Sequence, residues 1–505
     1  MRNRFQTIHA VLHFLGSLSV IFGGLLTIPL VFVILYREYT DGPATILAFL
    51  VPVAVSLAAG ILLQFSFRKH NITNVQAMII CSLAWIFFSG IGAMPFVIGI
   101  QSSFLDAYFE TMSGFTTTGI TMFTGLESMP KSILFWRSLT QWIGGLGILT
   151  FFLALTYHGI SAHSLFNAES HKIDMPRPVP NIMNTVKILW IIYGSFTLSI
   201  IIMLVIAGMP VFDSICHSFT ALSTGGFSPH DASIAYYRIE GFSHYRIMEY
   251  ILILGMMMGG MNFMVHYQVI KGRWLSLVRG TEMRYWWGLI LLFLICILGE
   301  MWMNRGLFTP GTEYGSRLAQ AETYFRKTLF QVTSILTTTG FATEDIGSAV
   351  FGHAARQLFL VMMVIGGCVG STGGGIKVLR IAVLFKILKN QICRLTFPSR
   401  AVSVLLIDGK PLENSEALRI AGLFFGWIVL LAGGGCITAL FSGLNSFSSF
   451  SGMFSALGNI GPCYISVQEM TQLSPVIKIV YIFGMLAGRL EIIPVFLLFT
   501  PRSWK

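Results

Sequence analysis

Four short stretches decide the fold: Ser113-Gly-Phe-Thr-Thr-Thr-Gly119, Thr220-Ala-Leu-Ser-Thr-Gly-Gly226, Ser334-Ile-Leu-Thr-Thr-Thr-Gly340 and Ser455-Ala-Leu-Gly-Asn-Ile-Gly461. They align without a gap. Each opens on Ser or Thr and closes on glycine, and Ile120, Phe227, Phe341 or Pro462 follows. The closing glycines lie 107, 114 and 121 residues apart, so a unit of roughly 110 residues is repeated. Each motif ends a short apolar stretch, near 103–118, 210–225, 322–339 and 447–460, too brief to cross a bilayer. A longer apolar stretch follows, and each carries a pair of small residues: Gly144-Gly145, Gly259-Gly260, Gly366-Gly367 and Ala487-Gly488.

Composition sets the surroundings of these motifs. Of 505 residues 54% are hydrophobic and 11% charged, against about 25% charged in an average soluble protein. Mean hydropathy is +0.73. Such a chain cannot coat a water-facing surface, which excludes an ordinary soluble enzyme, a disordered protein and a disulfide-stapled secreted domain. Runs long enough to span lie near 10–36, 45–66, 76–99, 131–157, 183–208, 246–270, 284–303, 355–390, 416–441 and 474–499. The expected fold is an all-α polytopic membrane protein: four membrane–pore–membrane repeats around one pore, preceded by two extra transmembrane helices. The segments are 1–70 for the two N-terminal helices, 71–175 and 176–280 for the first two repeats, 281–405 for a third with an interrupted second helix, and 406–505 for the fourth.

The net charge of +11 comes from 33 Lys+Arg against 22 Asp+Glu. Basic residues such as Arg68, Lys69, Lys172, Arg177, Lys386, Lys389 and Arg400 cluster on segments that are cytoplasmic if both termini are. That bias explains the charge without nucleic acid as a partner, and it puts all four short stretches outside. The basic segment 377–410 also suits docking of an acidic partner or lipid head groups. The seven cysteines (81, 216, 296, 368, 393, 436, 463) show no paired spacing and read as small buried apolar residues.

A cation that sheds its water needs oxygens in exchange, and four inward-turned loops supply a ring of backbone carbonyls. Glycine reaches the dihedrals such turns need, and the C-terminal ends of four short helices aim negative partial charge at the same point. The candidate filter is therefore Thr117, Thr118, Gly119 and Ile120; Ser223, Thr224, Gly225, Gly226 and Phe227; Thr338, Thr339, Gly340 and Phe341; and Asn459, Ile460, Gly461 and Pro462. The run Gly366-Gly-Cys-Val-Gly-Ser-Thr-Gly-Gly-Gly-Ile-Lys377 lacks a phosphate-loop frame and must unwind a helix in membrane. Gly370, Ser371, Thr372, Gly373, Gly374, Gly375 and Lys377 are thus a candidate gate below the filter. Arg489 aligns with Leu146, Met261 and Cys368, a lone cation in a span; it reads as an electrostatic barrier facing the pore, with a buried ion pair to Glu491 as the alternative. Asp106, Glu110 and Asp213 precede their filters, where they either concentrate cations at the mouth or cap the short helices.

These motifs resemble the superfamily of potassium transporters that includes Trk, Ktr and plant HKT proteins, over roughly 76–500. The two leading helices and the run Gly370–Lys377 are similar to its TrkH branch. The resemblance implies potassium as the transported ion, a low-affinity bacterial uptake system, and occlusion of the pore by the loop 366–376. It also implies a homodimer in the bacterial inner membrane and a cytosolic nucleotide-binding subunit resembling TrkA. Asn459-Ile460 departs from the Thr-Thr pattern, so the ring is not chemically symmetric. The competing expectation is a proton- or sodium-coupled symporter working by alternating access, which has no need of four filters at one depth. No HExxH or nucleophile–base set suggests an enzyme.

Overall fold

In the computed structural model, residues 4–70, 72–147, 150, 182–305, 317–396 and 404–504 are described. Among them, six helices are long and apolar enough to cross a membrane, and a seventh span is bent by 104° between Tyr245–Gly260 and Phe263–Ile270. The tail of the expected span 131–157 beyond residue 147 lies, apart from Thr150, outside the described residues, as do Lys172, Arg177 and Arg400.

Two helices lead the chain. The first, Arg4–Leu25, passes through a turn into Leu30–Leu35, and Ala44–Ser66 packs against it. Small and hydroxylated residues let the two approach. Gly16 and Gly60 face each other, and the Ser19 and Ser56 hydroxyls each donate to the other's backbone carbonyl at 2.8 and 2.7 Å. In lipid, close backbone packing and such bonds replace the hydrophobic drive.

Each of the four units then opens with a long helix: Asn74–Gly99, Ile182–Ile206, Thr281–Arg305 and Asn414–Phe441. A shorter helix follows: Phe104–Phe115, Val211–Leu222, Arg317–Leu336 and Ser446–Gly458. The third of these is longer than its apolar stretch suggested. Its first turns carry Glu322, Arg326 and Lys327, and Arg326 is paired with Glu322 at 2.7 Å and with Glu249 of a neighbouring helix. Charges that hydropathy counts against a helix are neutralised here by partners that only the fold supplies.

An interruption was expected in the third second helix alone; at least three of the four are interrupted. Lys131–Leu146 stops at Gly147, which has φ 95°. The second helix breaks at 261–262. His353–Val364 and Val378–Arg394 are separated by the glycine run, and Pro475–Arg489 and Ile493–Leu498 by Leu490, Glu491 and Ile492, the last two with φ 60° and 70°. The small-residue pairs explain where. A methyl group on Gly144, Gly259 or Gly488 would strike the carbonyl group of Phe115, Leu222 or Leu457 respectively. Those carbonyls occupy equivalent places at the ends of the short helices, so each pair is the seat on which a short helix rests. In the third unit the glycine run takes that seat, and Gly366 lies against Gly374.

Two smaller departures concern strands and thiols. A two-residue hairpin, Leu406–Ile407 with Lys410–Pro411, turns at Asp408-Gly409 with φ 49° and 80°, the Asp-Gly turn that such hairpins favour. Cys81, Cys216 and Cys368 are buried, whereas Cys296 and Cys436 are exposed on spanning helices; all seven are free thiols.

Candidate functional site

The short helices end alike. Thr117, Thr224, Thr338 and Asn459 adopt left-handed backbone with φ between 52° and 57°. The next residue folds back to the helix: Thr118, Gly225, Thr339 and Ile460 donate their N–H groups to the carbonyls of Ser113, Thr220, Ser334 and Ser455 at 2.8–3.0 Å. That is a Schellman-type cap, built here three times with a β-branched residue where glycine is usual. The closing glycines Gly119, Gly226, Gly340 and Gly461 follow at φ 84°, 78°, 88° and 104°.

The four loops close into a ring. A methyl group on Gly119 would strike the Gly225 carbonyl oxygen; on Gly226, that of Thr339; on Gly340, that of Ile460; and on Gly461 it would lie 2.9 Å from that of Thr118. Each glycine thus abuts the carbonyl just before the glycine of the next unit, and the fourth returns to the first. Four backbone oxygens, of Thr118, Gly225, Thr339 and Ile460, thus follow one another around a closed ring.

Side chains brace this ring. Gln141, on the second helix of the first unit, donates to the Gly225 carbonyl at 2.7 Å and accepts from Phe227 N at 3.0 Å. The Thr116–Thr118 and Thr337–Thr339 hydroxyls pair at 2.7 Å. Asn459 Nδ2 reaches Thr118 Oγ1 and the Met485 carbonyl, both at 2.9 Å, so the unit that departs in sequence is tied to the first unit by its own side chain.

Glu110, fully buried, accepts from Met122 N at 2.8 Å, from the Thr121 hydroxyl at 3.0 Å and from Arg137 Nε at 2.8 Å. Arg137 also donates to the Ser228 carbonyl at 3.0 Å and lies 4.2 Å over the Phe227 ring. One buried ion pair therefore joins the first and second of these loops. Glu110 does not face the mouth. Neither do Asp106, which Lys478 holds at 2.5 Å, and Asp213, which His230 and the Tyr237 hydroxyl hold at 2.9 and 3.0 Å. Asp106 sits in a helical first turn capped by Ser103. The acids that line the vestibule, a cavity of about 600 Å³ above the glycines, are Asp231, Glu344 and Asp345. Burial raises the Glu344 carboxyl, but the ammonium of Lys327 and the guanidinium of Arg238 outweigh it and hold the group below the usual carboxylate range.

Below the ring the glycine run 365–377 is non-helical and pinned from several sides. Ile365 and Ile376 form an isolated parallel bridge. Cys368 N and Thr372 N donate to the carbonyls of Gly260 and Gly259 at 2.9 and 3.1 Å, and Val369 N to Glu282 at 2.7 Å. The Thr372 hydroxyl reaches the Leu222 and Gly259 carbonyls at 2.9 and 3.0 Å. Lys377 contacts the carbonyl of Gly373 and, at 3.5 Å, that of Gly374.

The left-handed residues above meet this loop directly: Thr224 Oγ1 lies 3.1 Å from Thr372 Oγ1, Thr338 Oγ1 accepts from Gly374 N at 2.8 Å, and Asn459 packs on Gly374. Ser371 bonds Gly373 N at 3.3 Å, and Gly370 and Gly375 have φ 71° and 61°. Arg489 completes the floor. It donates to Thr117 Oγ1 at 3.1 Å, to the carbonyls of Gly144 and Gly145 at 2.5 and 2.7 Å, and to that of Thr372. Glu491, the alternative partner, is instead paired with Arg380 at 2.5 Å.

The ring, run and Arg489 are thus brought together as the sequence suggested. Gln141, Arg137 and Glu282 were missed. A polar or charged residue within or beside an apolar span is itself a signal, and Gln141, Arg137 and Glu282 carry it as Arg489 does.

Comparison with known proteins places the chain. Residues 46–505 match the family model described as TrkH, cation transport protein. The chain is 34% identical to the Trk system potassium uptake protein TrkH of Salmonella typhimurium, over 98% of this chain and 99% of the relative. It is 30% identical to the Trk system potassium uptake protein TrkG of Escherichia coli, over 99% of each. Its fold superposes on the crystal structure of the potassium transporter TrkH from Vibrio parahaemolyticus with a TM-score of 0.84 and 30% identity, covering 99% and 100% of the two chains. The chain belongs to the TrkH family of cation transport proteins.

Proposed function

We propose that the chain is the potassium-conducting transmembrane subunit of a bacterial uptake system, with the ring as its selectivity filter. The observation that carries this is the cyclic contact of Gly119, Gly226, Gly340 and Gly461 with the carbonyls of Gly225, Thr339, Ile460 and Thr118. A ring of backbone oxygens can replace the water shell of a desolvated cation. That the relatives are potassium uptake proteins and a potassium transporter supports potassium as the ion.

The pinned run 366–376 then acts as gate, and Arg489 as a cation at the inner end of the filter. The four units within 71–175, 176–280, 281–405 and 406–505 each contribute one quadrant. Assembly as a homodimer in the inner membrane, with both termini cytoplasmic and a nucleotide-binding subunit resembling TrkA beneath, belongs to the same proposal.

Reversal potentials of the purified chain in liposomes, in mixed potassium and sodium, test it. The wild type should favour potassium. Gly226→Ser should lose discrimination, because its Cβ meets the Thr339 carbonyl and its φ of 78° is unfavourable for serine. A conducting Gly226→Ser variant with unchanged reversal potential would reject the filter.

A further inference from the structure

Helices Thr281–Arg305 and Val378–Arg394 pack side by side, and between them lies an open groove of about 900 Å³. Two kinds of residue line it. Leu292, Phe385 and Leu388 are each more than half exposed, and Arg284, Lys386 and Lys389 stand among them. Lys386 and Lys389 are three residues apart, so they share a helix face. Arg284 lies in the first turn of its spanning helix, where a span emerges from the hydrocarbon.

Among the described residues no carboxylate lines the groove, and none of its three cations takes part in an ion pair. Arg380, on the same helix but buried, is neutralised by Glu491. Lys386 gives one N–H to the Leu406 carbonyl at 3.0 Å, which leaves two donors.

We propose that this groove is a binding site for an anionic phospholipid. Its phosphate sits among Arg284, Lys386 and Lys389, and an acyl chain runs along Leu292, Phe385 and Leu388. The argument is charge complementarity at the right depth. An apolar trough open to the bilayer fills with lipid, and three cations at its rim favour a headgroup with net negative charge. Helix Val378–Arg394 begins directly after Lys377, the last residue of the glycine run, so the occupant bears on the segment that carries this loop.

Binding is measured on the purified full-length protein in neutral phosphatidylcholine nanodiscs, by native mass spectrometry of retained lipid during titration with phosphatidylglycerol. Conduction plays no part in the readout. Phosphatidylglycerol should saturate a site that neither additional phosphatidylcholine nor inorganic phosphate occupies. The triple variant Arg284→Gln, Lys386→Gln and Lys389→Gln should bind it about a hundredfold more weakly, roughly fivefold per cation. Equal charge loss elsewhere, through Arg68→Gln, Lys69→Gln and Arg502→Gln, should leave it intact. If the triple variant does not fold, the charge-keeping Arg284→Lys, Lys386→Arg and Lys389→Arg must retain the lipid. Undiminished binding by a folded triple variant overturns the proposal. So does saturation by inorganic phosphate, or a change of oligomeric state without any lipid dependence, which would make this face a protein interface.

Discussion

A threonine in left-handed backbone is strained by about 1–3 kcal/mol, and three of them, Thr117, Thr224 and Thr338, sit at equivalent places in one ring. Glycine would relieve the strain but remove the hydroxyls that meet Arg489, Thr372 and Gly374. The hydroxyls are what the strain maintains. Arg489 carries the sharpest consequence at this scale. A potassium ion passing at about 6 Å, at an effective dielectric near 20, is repelled by about 2–3 kcal/mol. Arg489→Ala should therefore raise potassium flux in liposomes roughly ten- to a hundredfold if that step limits passage. Arg489→Lys should stay slow, yet melt lower than the wild type, because one ammonium cannot span the Gly144, Gly145 and Thr372 carbonyls at once. A stable alanine variant with unchanged or lower flux would remove Arg489 from the pathway. Arg489 was legible in the sequence as a lone charge in an apolar span. Arg137 satisfies the same test, but its neutralising Glu110 lies 27 residues away on another helix, and one-dimensional hydropathy does not register a pair.

Among the helices, the repeat period located the four short ones, whereas the small-residue pairs carried no expectation of a break outside the third unit. A pair of glycines in a span reads equally as a packing seam or a kink. Here it is both, because each seat for a carbonyl is also where the second helix stops. The third short helix starts at Arg317, ahead of the stretch 322–339 that hydropathy picks out, and within it Arg326 is neutralised by Glu322 and by Glu249 of a neighbouring helix. The repeats also diverge usefully behind the filter. Nine residues before the closing glycines stand Glu110, His217, Gln331 and Gly452. In the first unit alone this place holds a salt-bridged carboxylate, which braces two loops of the ring at once. Glu110→Ala strands Arg137 in a buried site and should cost about 3–5 kcal/mol in stability, whereas replacing both partners with apolar residues should recover part of it. Thermal melting of the single and double variants checks this. A single variant that melts as the wild type does would show that the pair braces nothing.

Across the molecule, the floor of the ring belongs to the third unit and the cation beside it to the fourth, and both rest on carbonyls at the helix breaks of the first and second. Deleting Gly370–Gly375 should raise potassium flux by removing the obstruction. Flux that falls in a variant that still folds would assign the run to packing alone. Closing the ring within one chain has a further effect, on what a mutation can do. In a ring built from four identical subunits, every substitution arrives in quadruplicate. Four guanidiniums about 10 Å apart, at an effective dielectric near 20, would repel one another by on the order of 10 kcal/mol in sum. Such a pore could hardly keep even one. Here the residues that follow the matching seats Gly144 and Gly259 are Gly145 and Gly260, and a solitary positive charge becomes affordable. With one chain supplying all four quadrants, each can carry its own residues, so under the proposed function selectivity and closure can be adjusted by quarters.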